Sequence, residues 1–321
     1  MLFIGASKTE YLDAAEKLLH ELKEKQIEAE LLTVTGDIAD LRGVLKKYGC
    51  SVASGSVATS SVADTSAPTI ASASSTSDQA TDSISVADSV STAASASATF
   101  SVSMDICMFI SEAGLSIFDS SLEMRGDFMK MLPRLKHNNL SGELLVKAAR
   151  IKNTEAKNVS VPLMALDATA GMGEDSLLLA ASGFDVDMYE YDPVIAALLD
   201  DTLKRAADSD ELAEAAGRMH LHKEDSIKAM REMVPGSYDV VLLDPMFPQR
   251  EKSALIKKKF QLIHQLERPC ADEEDMFEAA AALKPRKLIV KRPVKGAFLA
   301  GRKPSYSLSG KAVRYDCYIN L

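Results

Sequence analysis

The sequence has no apolar run near the roughly 20 residues that a membrane-spanning helix needs. No basic cluster precedes the short apolar stretch in the opening residues MLFIGASKTE, so a secretory signal is not expected. The four cysteines (Cys50, Cys107, Cys270 and Cys317) form no C-x-x-C pair, which argues against a zinc site. These absences predict a cytoplasmic protein whose thiols are reduced and buried.

Lys and Arg are absent between Lys47 and Arg125, where Ser, Ala, Thr and Val dominate. Such a segment offers too little apolar surface to offset its ordering entropy, so it is expected to be flexible; weak strands at the repeated SVA triplets are the alternative. The expected organisation is an N-terminal α/β subdomain (1–50), this insertion (51–103), the rest of the N-terminal region with a connection (104–160), and a main domain (161–321).

From Pro162 onward, strand and helix patterns alternate, which is typical of a parallel sheet with helices on both faces. The predicted strands lie near 163–168, 185–190, 219–222, 238–243, 286–291 and 313–319. In the N-terminal region, strands are predicted at LFIGA, AELLTVTG, DICMFIS and EAGLSIFD, and helices at EYLDAAEKLLHELKEK, IADLRGVLKKYG and residues 142–151. The fold class is therefore α/β, with a small subdomain before a mainly parallel sheet.

The stretch LMALDATAGMGEDSLLLAASG predicts a strand, a glycine turn and a helix. Gly171 and Gly173 would let the backbone approach a ligand at the carboxyl end of the strand. Glu190 ends the next strand, where a carboxylate can accept hydrogen bonds from both ribose hydroxyls of a nucleoside. The third glycine of a dinucleotide fingerprint is missing, so a purely structural turn is the alternative for this loop taken alone.

Two nucleoside cofactors, NAD and S-adenosylmethionine, are consistent with this pattern. Glu174 and Asp175 occupy the first helical turn, where they would repel the pyrophosphate of NAD. The sulfonium and amino groups of S-adenosylmethionine suit nearby carboxylates such as Asp167 and Asp175. S-adenosylmethionine is therefore the predicted cofactor.

The stretch HLHKEDSIKAM follows as a third strand with a polar end. Asp225 and Ser226 could meet the adenine amine there, and Asp225 could also cap the next helix. His220 and His222 share a face of the strand, but no third ligand is evident, so no metal is predicted and both are taken as structural.

The stretch VVLLDPMFP predicts a strand followed by a turn, which two prolines stiffen. The Asp244 carboxylate and the Pro245 carbonyl are then acceptors beside the flat ring of Phe247. Such a pocket can hold a base by stacking on the aromatic ring, which is worth about 1–3 kcal/mol per base. The two acceptors can bind its exocyclic amine and stabilise positive charge developing on nitrogen. The motif therefore predicts methylation of a nucleic-acid amine; a turn without chemistry is the alternative.

Basic residues cluster in REKSALIKKK and in 284–303, although the net charge is −9. Local positive charge of this kind suits phosphate contacts, with plain solvated surface as the alternative. The predicted RNA-binding residues are Lys252, Lys257, Lys258, Lys291, Arg292, Lys311 and Arg314.

Five segments resemble, in order, the RsmJ-type small-subunit ribosomal RNA (guanine-N2)-methyltransferases of bacteria. They are LDATAGMGEDSLLLAASG, YEYDPVIAALLDDTLKRA, LLDPMFPQREKSALIKKK, VKRP and GKAVRYDCY, and the resemblance covers roughly 115–321. It implies a class I methyltransferase fold that uses S-adenosylmethionine to methylate one guanosine amine near the 3′ end of 16S RNA. The cofactor contacts that it implies are Glu174, Asp175, Glu190, Tyr191, Asp225, Ser226 and Asp244.

Two other functions are consistent with these residues. D-P-P-F-type motifs also serve N6-adenine methylation of nucleic acid, and an RNA-binding assembly factor could keep the fold without catalysis. A nicotinamide oxidoreductase fits least well. The expected partner is small-subunit ribosomal RNA or the 30S subunit, bound by a monomer.

Reversing the charge at Lys257 and Lys258 together (to Glu) should weaken RNA binding, and the loss should shrink as salt rises because phosphate contacts are screened. Filter binding over a salt series measures this, with Lys17→Glu plus Lys23→Glu as the charge-matched control. Unchanged affinity at low salt would remove these lysines from the RNA interface.

Overall fold

The computed structural model describes residues 2–6, 8–25, 29–32, 107–118, 123–151, 162–245 and 273–321. The helix predicted at IADLRGVLKKYG, the 51–103 insertion, Phe247, and the lysines at 252, 257 and 258 lie outside these ranges. Within them, no helix combines the length and the apolar character that crossing a bilayer requires.

A five-stranded sheet forms the N-terminal region, in the order β2-β1-β3-β4-β5. Strand β1 is parallel to β2 and β3, and β4 is antiparallel to β3 and β5. The strands are β1 (Leu2–Ala6), β2 (Ala29–Leu32), β3 (Cys107–Ser111), β4 (Gly114–Phe118) and β5 (Glu123–Met124). Strands from before and after residues 33–106 therefore belong to one sheet.

A seven-stranded sheet lies within residues 163–318, in the order β11-β12-β10-β9-β6-β7-β8. Neighbours from β10 to β8 are parallel, whereas β12 is antiparallel to both β10 and β11. The strands are β6 (Leu163–Asp167), β7 (Phe184–Tyr189), β8 (Met219–His222), β9 (Val240–Leu243), β10 (Lys287–Pro293), β11 (Tyr306–Ser309) and β12 (Val313–Tyr318). The mainly parallel α/β fold predicted from the sequence is confirmed.

Nine α-helices lie in the described residues. They are α1 (Leu12–Glu24), α2 (Leu132–Leu135), α3 (His137–Leu140), α4 (Leu144–Ala149), α5 (Glu174–Ala181), α6 (Pro193–Ala207), α7 (Ala213–Ala216), α8 (Ser226–Glu232) and α9 (Glu273–Ala282). On one side of the main sheet, α5 buries Leu177 and Leu179 in the same cluster as Ala165 of β6. On the other side, α9 buries Met276 and Phe277 with Leu166.

Helix α6 packs against both sheets. The Asp192 carboxylate accepts hydrogen bonds from the backbone N–H groups of residues 194 and 195, and Pro193 follows at the first helical position, which is a strong start signal. One face of the helix places Ile195 and Leu198 in the core of the N-terminal sheet. The Arg205 guanidinium donates to the backbone oxygen of Gly126 at 2.7 Å, which fixes the N-terminal region to the helix.

Gly173 lies where α5, α6 and the N-terminal region meet. Its φ is +73°, and a Cβ at this position would meet Leu199 Cδ1 at 2.6 Å and Phe128 Cζ at 3.1 Å. A Cβ here would thus meet protein atoms, and approach of the Gly173 backbone to a ligand stays a prediction. Close packing of Phe128 and Leu199 therefore explains the need for glycine here.

Gly173→Ala should destabilise the protein more than Gly183→Ala. Both positions have positive φ (+73° and +104°), so alanine costs about 1–2 kcal/mol at either one. At Gly173 the added methyl group also overlaps Leu199, which adds about 1–3 kcal/mol, whereas no described atom lies within 4 Å of such a methyl group at Gly183. Urea unfolding measures the difference, and equal losses would contradict the packing role.

Candidate active site

The carboxyl ends of β6, β7, β9 and β10 meet at one edge of the main sheet because these strands are parallel. In the strand register, Asp167 lies opposite Leu242 and Met188, and Val290 lies opposite Leu243. The polar residues that follow these strands therefore gather at a single edge, as in other open α/β sheets.

Asp167 is hydrogen-bonded to the glycine loop and to the first turn of α5. It is buried, its Oδ1 accepts from the Thr169 backbone N–H at 3.1 Å, and its Oδ2 accepts from the Ser176 hydroxyl at 2.5 Å. Burial raises the pKa of Asp167 to about 7, and the charges of Asp175 and Asp244 act in the same direction. Both carboxylate oxygens thus bind the loop and α5, and a contact of Asp167 with a cofactor stays a prediction.

The described surroundings of Gly171 are less crowded than those of Gly173. Gly171 has a φ of +53°, and the nearest described atom to an added Cβ would be the Thr169 backbone oxygen at 4.0 Å. Its backbone N–H donates to Glu190 Oε2 at 2.9 Å, and the Asp192 N–H donates to Glu190 Oε1 at 2.8 Å. Burial raises the pKa of Glu190 to about 7, although these two hydrogen bonds oppose the shift. Glu190 therefore ties the end of β7 to the glycine turn.

Tyr191 and the residues after β8 line the same edge. Tyr191 follows Glu190 and leaves 60% of its surface exposed, which is unusual for a large aromatic side chain. Asp225 accepts from the backbone N–H groups of residues 227 and 228, so the helix-cap role is confirmed, while Ser226 is buried. The sequence predicted two compatible roles for Asp225. The structure confirms the helix cap, and a contact with adenine stays a prediction.

His222 belongs to a polar cluster between β7 and β8. Its Nε2 lies 3.0 Å from Asp187 Oδ1, and its ring stacks on Tyr189 with centroids 4.6 Å apart. The Tyr238 hydroxyl donates to Asp187 Oδ2 at 2.8 Å. In the part of the chain that the structure describes, no group of three His, Cys, Asp or Glu side chains could hold a metal ion. Through its contacts with Asp187 and Tyr189, His222 links the ends of β7 and β8.

Asp244 joins the motif after β9 to the glycine loop. Its backbone N–H donates to the Thr169 hydroxyl at 2.7 Å. Pro245 is buried beside it. The two loops that the sequence predicted to be neighbours are therefore in direct contact.

Lys291, on β10, lies between two carboxylates of this site. Its Nζ is 2.8 Å from Asp244 Oδ2 and 2.6 Å from Asp175 Oδ2. Burial acts to lower the pKa of Lys291, but the charges of Asp175 and Asp244 outweigh it and raise this pKa. Burial raises the pKa of Asp244, while the Lys291 charge opposes the rise.

The basic rim predicted from the sequence needs correction at three residues. Lys291 is part of the carboxylate cluster just described. Arg292 leaves 3% of its surface exposed and donates to the Ala297 backbone oxygen, and Arg314 is buried in a bidentate pair with Asp316. Buried and paired guanidinium groups do not present charge to RNA, whereas Lys311 is exposed.

Thr169, Ser176 and the true position of Lys291 were not found from the sequence. Thr169 and Ser176 flank the glycine loop, and hydroxyl residues at such turns commonly bond nearby backbone or carboxylate groups. Lys291 follows an apolar run on β10 at the level of Asp244, so pairing of the parallel strands was the signal that could have placed it.

Comparison with known proteins establishes the class of protein to which this fold and site belong. The profile of a family described as "Putative SAM-dependent methyltransferase" matches residues 101–320. A crystal structure of a SAM-dependent methyltransferase from Neisseria gonorrhoeae aligns with a TM-score of 0.53 and 29% identity, over 67% of this chain and 83% of that one. The chain belongs to the S-adenosylmethionine-dependent methyltransferases.

Sequence relatives define the family more narrowly. A ribosomal RNA small subunit methyltransferase J from Marinobacter nauticus is 37% identical over 219 residues, which cover 66% of this chain and 77% of the relative. The protein of the same name from Pseudomonas paraeruginosa is 40% identical over 220 residues, 67% of this chain and 82% of the relative. The chain is a member of the ribosomal RNA small subunit methyltransferase J family, which confirms the resemblance seen in the motifs.

The residues present are consistent with binding of S-adenosylmethionine. The open backbone at Gly171 leaves room for a ligand, and Glu190 and Asp225 offer acceptors at the ends of β7 and β8. Glu174 and Asp175 in the first turn of α5 disfavour a pyrophosphate there. The donor supplies a methyl group on a positively charged sulfur, which an acidic edge attracts.

Affinity for S-adenosylhomocysteine should fall as pH drops below about 7, because Glu190 then takes up a proton and stops accepting from ribose. The fall approaches tenfold per pH unit where the protonated form does not bind. Glu190→Gln should bind more weakly at about pH 8 and show a flatter dependence down to about pH 5.5.

Isothermal titration calorimetry measures this dependence. Glu232→Gln, at an exposed position of α8, is the matched control and should keep the wild-type slope. The same slope in Glu190→Gln as in the wild type would exclude Glu190 as the group that titrates.

Proposed function

We propose that this protein transfers a methyl group from S-adenosylmethionine to the exocyclic N2 amine of one guanosine in the 3′ region of small-subunit ribosomal RNA. The observation that carries this proposal is the 2.7 Å hydrogen bond from the Asp244 N–H to Thr169, which joins the amine-binding motif to the glycine turn. Methyltransferases named for small-subunit ribosomal RNA are 37–40% identical to the chain, which supports the choice of substrate.

Asp244 is proposed to receive the amine. Its carboxylate follows β9 at the strand edge and accepts one N–H of the base, as the Pro245 carbonyl accepts the other. An amine conjugated to a base ring is a poor nucleophile, and these acceptors stabilise the positive charge that develops on nitrogen. Holding the nitrogen beside the glycine turn adds the proximity effect, so no protein nucleophile is required. Phe247, outside the described residues, is proposed to stack on the base.

The proposal also assigns the regions of the chain. Residues 161–321 form the methyltransferase domain, and the N-terminal sheet with residues 104–160 supports α6 and the glycine loop through Phe128 and Arg205. Lys252, Lys257, Lys258 and Lys311 are the remaining candidates for phosphate contacts. A cytoplasmic monomer acting on free RNA or on the 30S subunit is the form proposed.

Mass spectrometry of nucleosides tests the reaction. A strain lacking the gene should lose one N2-methylguanosine from its small-subunit RNA, and the purified protein with S-adenosylmethionine should restore it. Loss of N6-methyladenosine instead would establish the alternative amine, and no change in any methylated nucleoside would favour a non-catalytic assembly factor.

Asp244→Ala should reduce methyl transfer by at least about a hundredfold, because it removes an acceptor at the reacting nitrogen. Binding of S-adenosylhomocysteine should weaken far less than turnover, which separates the loss from misfolding. Asp239→Ala is the matched control: Asp239 precedes β9 at the opposite end, where it accepts from the Met164 N–H. Near-normal turnover in Asp244→Ala would overturn the assignment of Asp244.

A further inference from the structure

Lys291 is held by carboxylates from two different elements. Asp175 belongs to α5 and lies 2.6 Å away, and Asp244 follows β9 and lies 2.8 Å away. The Lys291 side chain leaves 24% of its surface exposed and that of Asp175 leaves 17%. Charged groups so close in a partly buried site interact much more strongly than a surface pair.

The groups that face Asp244 carry mostly negative or neutral charge. They are Asp175 from α5, Asp167 from β6, Lys291 and Arg292 from β10, and Tyr315 from β12. Arg292 points elsewhere, since its guanidinium binds the Ala297 backbone oxygen and pairs with Glu273. Among the residues that the structure describes, Lys291 is therefore the cation in direct contact with the Asp244 carboxylate.

We propose that Lys291 is a positioning residue for methyl transfer, whose ammonium group orients the Asp244 carboxylate and holds it as the anion that accepts the target amine. This inference rests on the proposed role of Asp244. It replaces the expectation that Lys291 binds RNA phosphate, because both neighbours of its Nζ are carboxylates on the protein. Lys291 bonded in this way also fixes α5, and with it the glycine loop, against β9 and β10.

The pH dependence of turnover distinguishes this role from a merely structural one. Lys291→Met removes the charge that favours ionised Asp244, so the acid limb of the kcat profile should move to higher pH by about one to three units. Lys291→Arg keeps the charge and should return the limb towards its wild-type position. The KM for RNA should change little in either variant, since the lysine does not contact phosphate.

Lys287→Met is the matched control. Lys287 begins the same strand and donates to the backbone oxygens of Ala148 and Arg150 at 2.7 Å. Its loss should lower stability without moving the acid limb, because it lies at the far end of β10 from Asp244. A shift of the limb in Lys287→Met equal to that in Lys291→Met would overturn the proposal.

Carboxyl NMR on protein with isotope-labelled aspartate gives a readout that needs no turnover. The Asp244 signal, assigned by its loss in Asp244→Asn, should titrate at higher pH in Lys291→Met than in the wild type. An unchanged titration would overturn the proposal, as would inactivity of Lys291→Met and Lys291→Arg alike with cofactor binding intact. If the wild type methylates no guanosine while the NMR shift is present, the proposed function fails and the role of Lys291 in the site stands.

Discussion

The contact of the Lys291 ammonium with Asp175 and Asp244 is the interaction on which the candidate site depends. Three elements that are distant in sequence, β10, α5 and the end of β9, each contribute one of these charges. Removing one partner of such a cluster leaves an uncompensated charge in a partly buried place, which is more destabilising than the net gain from the pair would suggest. The same charge balance that favours the folded edge of the sheet also favours an ionised Asp244, so stability and chemistry here share one cause.

Three backbone N–H groups and one hydroxyl group hold two carboxylates at the glycine loop. Glu190 accepts from the backbone of Gly171 and Asp192, and Asp167 accepts from the Thr169 backbone and the Ser176 hydroxyl. Burial raises the pKa of both carboxylates to about 7, which works against their ionisation near neutral pH. Carboxyl groups whose pKa is raised by burial are common at functional sites.

The sequence predicted strands correctly where the hydrophobic pattern reflects burial, and it missed a strand where the pattern does not. VVLL at β9 is buried on both faces and was predicted as a strand, whereas YSLS at β11 is mostly exposed and was missed. The basic rim failed for a related reason, since residue type gives charge but not burial. Arg314 and Asp316 alternate on one strand and so share a face, which is the period-of-two signal that predicts their pairing. The neighbouring glycine and D-P loops were predictable because parallel strands end at one edge, while the Lys291 contacts needed the register of β9 and β10.

The long segment between β2 and β3 occupies a place in the topology that tolerates extra length. Strand β1 lies between β2 and β3 and is parallel to both. Parallel strands require a connection of about a dozen residues or more, and each doubling of loop length adds only about 0.6 kcal/mol of closure entropy. Residues 33–106 come between β2 and β3 in the sequence, while Asp167, Gly171, Glu190, Asp244 and Lys291 all come later in the chain. A Ser- and Ala-rich insertion at this point can therefore lengthen the chain without altering the spacing of any group in the candidate site.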